Sequence, residues 1–267
     1  MNRIVTGLVA GAGWFHVVNA ESIQLLWLVL SVLAGMAMRE YFSITLKDRE
    51  RRFILPSVIL GLLPLAGGLS GQADGVLAGY LLSIILFLVL ITFRFSGTIN
   101  PFALLSRFNF GITYVGLCAA HLLLLKTGEN GHFWLMLLTV VIVASDTGAF
   151  YTGTLFGRTK LCPAISPGKT VEGFLGGLFF AAVAATLFSM IMRPELNVFR
   201  IILLALILAC IGVIGDLTES IFKRSNQVKD SGSILPGHGG ILDRVDSILV
   251  SAPVLYYLIH FKILTAS

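Results

Sequence analysis

Residues 198–216 read VFRIILLALILACIGVIGD. As a helix this run is long enough to cross about 30 Å of hydrocarbon. It carries one arginine near its start and one aspartate at its end, so it reads as a membrane span closed by an acid. The rest of the chain repeats the pattern. Of its 267 residues, 56% are hydrophobic and only 12% charged, and mean hydropathy is +0.91. Soluble domains carry roughly twice that charge. Nine candidate spans follow, at about 4–18, 22–38, 53–70, 74–93, 108–126, 132–157, 171–192, 198–216 and 245–262. The expected fold is an all-α, polytopic helical bundle in one transmembrane domain, 1–267. Long unbroken apolar runs are not the alternating pattern of a membrane barrel.

Arg3, an apolar run and Val18-Asn19-Ala20 also fit a signal peptide. A retained first helix is the reading adopted, because eight more spans follow. Cys118, Cys162 and Cys210 are scattered, without zinc or disulfide spacing. His16, His121, His132 and His260 have no sequence partners and read as core or interfacial.

With nine spans, the N-terminus and the loops after even-numbered spans share one side. That side holds fifteen lysines and arginines, and the other holds Lys126, Arg193, Arg200 and Lys262. Basic residues collect in cytoplasmic loops, so the N-terminus and the 217–244 loop are expected in the cytosol. The basic cluster of residues 39–52 is explained by topology alone.

The acids are not. Asp146, Glu172, Asp216, Glu219, Asp230, Asp243 and Asp246 lie within or beside apolar helices or in the two long cytosolic loops. Charges at membrane depth are costly and tend to be functional. Asp216, Glu219, Ser220 and Lys223 fall at i, i+3, i+4 and i+7, one helical stripe. Such a stripe can bracket a metal–phosphate complex, with carboxylates on the cation and bases on phosphate oxygens. It can equally be an internal ion pair, for example Glu219 with Lys223. Hard oxygen ligands suit Mg²⁺. Asp243 and Asp246 share a face if helical.

Residues 236–240, PGHGG, break regular helix and lead to a helix starting near Ile241, an anion-friendly turn. His238 lies between these glycines and reads more as structural than as a catalyst. A second polar block comprises SDTGAF, residues 145–150, and LCPAISPGKTVEG, residues 161–173. Its Ser-Pro-Gly-Lys-Thr is not a P-loop: the leading glycine is missing and no strand is expected before it. Thr170 reads as a helix cap, with Glu172 in the first turn.

Residues 220–246, SIFKRSNQVKDSGSILPGHGGILDRVD, resemble the signature of the phosphatidate cytidylyltransferase (CDP-diacylglycerol synthase) family, S-x-x-K-R-x4-K-D-x5-P-x-H-G-G-x-x-D-R-x-D. Every fixed position is matched. The 146–173 block is similar to the family's D-T-G-A-[FY] and S-P-x-K-T-x-E-G segments. Residues from about 131 on form the expected catalytic part, and about 1–130 show no diagnostic motif. The resemblance implies CMP transfer from CTP to phosphatidate with Mg²⁺, a second cation being possible. It implies metal-binding acids at Asp216, Asp243 and Asp246, with Asp146 nearby. Lys223, Arg224 and Asp246 would carry the reaction. Ser166, Lys169, Thr170, Ser220, Lys229, His238, Gly239 and Arg244 would hold substrate phosphates. The implied location is the bacterial inner membrane with a cytosolic active site. No nucleic-acid partner is expected, and a homodimer is possible.

Three rivals fit less well. A CTP-using lipid kinase is not expected to carry the full signature. A proton-coupled transporter would place acids near the midplane in both halves. An intramembrane aspartyl protease would need Gly-x-Gly-Asp, whereas residues 212–216 read GVIGD.

Overall fold

The computed structural model describes residues 2–46, 48–94, 100–232 and 239–263. Eleven α-helices, one β-hairpin, two 3₁₀ turns and one π turn make up the described elements. The first is α1 (Asn2–Asn19), followed by α2 (Ile23–Thr45). The third expected span is broken into a 3₁₀ turn (Asp48–Phe53), α3 (Ile54–Gly61), α4 (Leu63–Gly67) and a second 3₁₀ turn (Gly68–Ser70). Pro64 stands at the start of α4, where its missing N–H is tolerated. Next come α5 (Ala73–Arg94) and α6 (Pro101–Gly111), a π turn (Ile112–Leu117), and α7 (Cys118–Thr127). The chain continues through α8 (Gly131–Phe156), β1 (Lys160–Cys162), β2 (Ser166–Thr170), α9 (Val171–Met192), α10 (Val198–Ser225) and α11 (Leu242–His260).

Among the described residues, seven segments are long and apolar enough to cross a membrane: Ile23–Thr45, Arg49–Ser70, Ala73–Arg94, Pro101–Thr127, Gly131–Phe156, Val171–Met192 and Val198–Ser225. The protein is an all-α polytopic membrane protein, as composition predicts. Helices α1 and α11 stand where the first and ninth spans are expected, but they are not among these seven. Helix α11 carries Asp243, Arg244 and Asp246 in its opening turns.

Two sequence expectations need correction. Asp216 does not end the eighth helix: α10 runs on to Ser225. The stripe Asp216–Glu219–Ser220–Lys223 is therefore continuous helix. A strand does precede the Ser-Pro-Gly-Lys-Thr segment, which itself forms β2. Strands β1 and β2 pair antiparallel, Lys160 opposite Thr170 and Cys162 opposite Ser166, with an irregularity between the two pairs. The P-loop remains excluded, because the leading glycine is missing and Ser-Pro-Gly-Lys-Thr is itself strand β2 rather than a loop between a strand and α9.

The chain packs as two compact units. The first comprises Met1–Glu129 and Ser225–Val245. Its core is built on the buried face of α2, including Leu26, Leu30, Met38 and Phe42. Phe108 stacks on Phe87 with centroids 3.7 Å apart and on Phe42 at 6.3 Å. Buried Lys126, from α7, donates to the carbonyls of Val18 (2.6 Å), in the last turn of α1, and Ala20 (2.7 Å), just past it. A cation there offsets the negative end of that helix. The basic cluster is partly tied down: Arg107 pairs with Glu50 at 2.5 Å, and Arg52 donates to the carbonyl of Arg94. His121 is buried with Nδ1 2.8 Å from the Leu117 carbonyl, a core role as expected.

The second unit comprises Asn130–Arg224 and Asp246–Ser267. Helices α8 and α9 approach closely through small residues, the usual device inside membranes. A Cβ on Gly177 would stand 2.9 Å from the Ser145 carbonyl, and one on Gly148 would press 2.7 Å from Phe180. Thr170 caps α9 as predicted, its hydroxyl accepting from Gly173 N at 3.1 Å. Glu172 reaches back across the hairpin and accepts from the amides of Arg158 and Thr159, each at 3.1 Å. The three cysteines are free thiols.

Candidate active site

In the second unit, four elements bring their polar residues together. Helix α8 supplies Asp146, the hairpin Lys169, α10 Asp216, Glu219 and Lys223, and α11 Asp246. Lys169 Nζ lies 2.6 Å from Asp216 Oδ2. Asp146 is close enough to interact electrostatically with both Lys169 and Asp216. Asp246 in turn interacts with Asp216 and Asp146, and its side chain is within reach of Glu219. Asp246 is 6% exposed and Glu219 2%. Gly215 permits the approach of α11: a Cβ there would stand 2.8 Å from the Asp246 carbonyl.

Asp146, Asp216 and Asp246 repel one another at this range, and for Asp246, the buried member of the three, burial adds to the cost of charge. Lys169 on Asp216 offsets part of it. A fourth acid, Glu219, has its own lysine: Lys223 Nζ donates to Glu219 Oε2 at 3.2 Å, an i,i+4 pair with little exposure. The ion-pair reading of Glu219 and Lys223 thus holds in this structure. Arg224 is exposed, and its Nε reaches the Ile165 carbonyl at 3.5 Å, the outer limit of a hydrogen bond. Ser220 is half-buried one residue along α10 from Glu219. Ser166 is held in the hairpin opposite Cys162. The Thr170 hydroxyl is committed to its cap.

In the first unit, Asp243 Oδ2 accepts from Ser231 N (3.1 Å), Ser231 Oγ (2.8 Å) and Gly240 N (3.0 Å). Gly239 adopts a left-handed φ of +81°, a conformation that favours glycine. Lys229 and Arg244 are exposed. His238, Pro236 and Gly237 lie outside the described residues.

Sequence reasoning missed one residue altogether. Glu40, 4% exposed near the C-terminal end of α2, accepts from the amides of Ile241 (3.0 Å) and Leu242 (2.9 Å) and lies 3.1 Å from Ser231 Oγ. An acid inside an apolar helix was a visible signal. Arg39 beside it and the basic residues up to Arg52 fit a topological signal by themselves, which masks the acid.

Among the described residues, no three Asp, Glu, His or Cys side chains are gathered as ready metal ligands. The Lys169 ammonium sits against Asp216, and in the first unit Asp243 accepts from backbone and hydroxyl donors. The donor chemistry nevertheless fits Mg²⁺. Asp146, Asp216 and Asp246 offer hard oxygens within electrostatic range of one another, and such a set suits a cation that also takes ligands from substrate phosphates.

The profile of the cytidylyltransferase family matches residues 1–262. The chain is 38% identical over 192 residues to the phosphatidate cytidylyltransferase of Bacillus subtilis, covering 70% of each chain. It is 41% identical over 166 residues to that of Staphylococcus haemolyticus, covering 62% of this chain and 61% of the relative. With that of Haemophilus influenzae it shares 43% identity over 136 residues, 49% of this chain and 47% of the relative. With the family profile running almost the full length of its helices and signature, the chain belongs to the cytidylyltransferase family.

Proposed function

We propose that the chain is a phosphatidate cytidylyltransferase, converting CTP and phosphatidate to CDP-diacylglycerol and diphosphate. Family membership makes it a CTP-dependent nucleotidyltransferase, and relatives at 38–43% identity carry that activity in their names. The observation that carries the reading to particular residues is the meeting of Asp146, Asp216 and Asp246 with Lys169 and Lys223 in one unit.

The chemistry matches this inventory. A phosphatidate oxygen attacks the α-phosphorus of CTP. The bond from that phosphorus to the β-bridging oxygen breaks, and diphosphate leaves with the bonding pair. The nucleophile is already ionised, so no general base is needed, which agrees with assigning His238 no proton-transfer role. Both reactants are anionic, so the work is alignment and charge neutralisation. Lys169, Lys223 and Arg224 supply positive charge, and Ser220 and Ser166 supply hydroxyls toward phosphate oxygens. Mg²⁺ bound by Asp146, Asp216 and Asp246 would neutralise charge on the CTP phosphates, and the signature resemblance adds Asp243 to the expected metal-binding acids. The basic-residue asymmetry supports a cytosolic site in the bacterial inner membrane, where a soluble nucleotide meets a bilayer lipid.

The test is release of diphosphate from CTP by purified protein. Release that requires phosphatidate supports the reading. Phosphoryl transfer to a lipid alcohol, or no phosphatidate dependence, overturns it.

A further inference from the structure

The first unit contains a buried carboxylate that the proposed reaction does not use. Glu40 lies near the C-terminal end of α2, where the helix dipole disfavours an anion. Its compensation comes from the other end of the sequence. Its carboxylate accepts the amides of Ile241 and Leu242 at 3.0 and 2.9 Å, at the start of α11, where the dipole is positive and the N–H groups lack intrahelical partners. The same carboxylate lies 3.1 Å from Ser231 Oγ, which is 2.8 Å from Asp243 Oδ2. The hydroxyl has one proton, so it donates to one acid at a time and couples the two.

The surrounding glycines make room for this arrangement. A Cβ on Gly232 would stand 2.5 Å from Glu40 Oε1, and one on Gly240 would collide with Ser231 Oγ. Two stretches, at 231–232 and 240–243, are thus gathered around one carboxylate from α2.

We propose that Glu40 is a positioning residue: it fixes the start of α11 and, through Ser231, the orientation of the Asp243 carboxylate. The catalytic consequence rests on the proposed function, in which Asp243 serves the nucleotide–metal complex. The structural part does not. Without the Glu40 anion, the amides of Ile241 and Leu242 lose their acceptor, and Ser231 is released to compete differently for Asp243.

The experiment uses the full chain in detergent and compares wild type, Glu40→Gln, Glu40→Asp and Ser231→Ala. Amide hydrogen exchange reads the structural part. Glu40→Gln should raise exchange at 231 and 240–242 by about tenfold or more, the scale of a lost charge-assisted hydrogen bond, while α8 and α9 stay protected. Glu40→Asp keeps the charge but shortens the reach, and should fall between. Kinetics read the catalytic part. Glu40→Gln should raise the KM for CTP and the Mg²⁺ requirement by about tenfold, with a smaller change in kcat per folded molecule. Ser231→Ala keeps the Glu40 acceptor, so 241–242 should stay protected while KM rises; it serves if Glu40→Gln fails to fold. Unchanged exchange at 231 and 240–242 in Glu40→Gln overturns the proposal. So does unchanged KM in Ser231→Ala, or in Glu40→Gln with only the folded yield reduced. A wild type without CTP turnover refutes the functional reading instead, and the exchange comparison still decides the role of Glu40.

Discussion

Lys169 Nζ lies 2.6 Å from Asp216 Oδ2, joining the second strand of the hairpin, near its junction with α9, to α10. The two residues are forty-odd positions apart in sequence and belong to different motifs. Their side chains keep 24% and 35% exposure, so the pair is worth only about 0.2–1 kcal/mol to stability. A site that must exchange this contact for phosphate oxygens and a cation gains from such a weak hold.

Lys169→Met should therefore leave the thermal midpoint nearly unchanged and lower turnover by about 10²–10³, the cost of one lost charge-stabilising donor. Diphosphate release on stability-matched protein measures it. Near-normal turnover would make the pair a hairpin tether and nothing more.

Lys223 and Arg224 should separate from each other. Lys223 is 14% exposed against a Glu219 that is 2% exposed. Lys223→Ala leaves a buried carboxylate uncompensated, so both stability and activity should fall, stability by about 3–5 kcal/mol. Arg224 is exposed with a marginal contact, so Arg224→Ala should retain the fold and lose activity alone, by about 10²–10³. Unfolding curves beside steady-state rates distinguish the two. An active Arg224→Ala would remove it from the substrate site.

Asn at Asp216 or Asp246 should abolish activity with expression nearly intact, because each substitution removes charge from a mutually repelling group. Asp243→Asn can keep an oxygen toward Ser231 and Gly240 and should also express but turn over poorly. Chelation should stop wild-type turnover, and added Mg²⁺ should restore it. Full activity in excess EDTA would exclude a divalent cation from the mechanism.

A cysteine placed at exposed Gln227, just past α10, should react with an impermeant thiol reagent only when the inner face is opened, in a background lacking Cys118, Cys162 and Cys210. Labelling in intact cells would invert the topology and put the site on the wrong side for CTP.

Much of this was legible in one dimension. Hydrophobic length located seven of the nine expected spans among the described residues, since hydrocarbon thickness is matched segment by segment. The Thr170 cap and the Glu172 first-turn acid were local, and both were recovered. The stripe from Asp216 to Lys223 followed from helical spacing, although the helix extends further than apolar length suggested. The signature at 220–246 pointed to the chemistry.

Spacing could not say which partner each charge would choose. Glu219 took Lys223 on its own helix, Asp216 took Lys169 from the hairpin, and Asp243 turned to Ser231 and Gly240. Glu40 is the sharpest case: its partners lie 191 to 202 residues away. Helical periodicity and hydropathy are properties of neighbours along the chain. A buried carboxylate is satisfied by whatever donors the folded backbone carries to it, and only packing α2 against the start of α11 decides that.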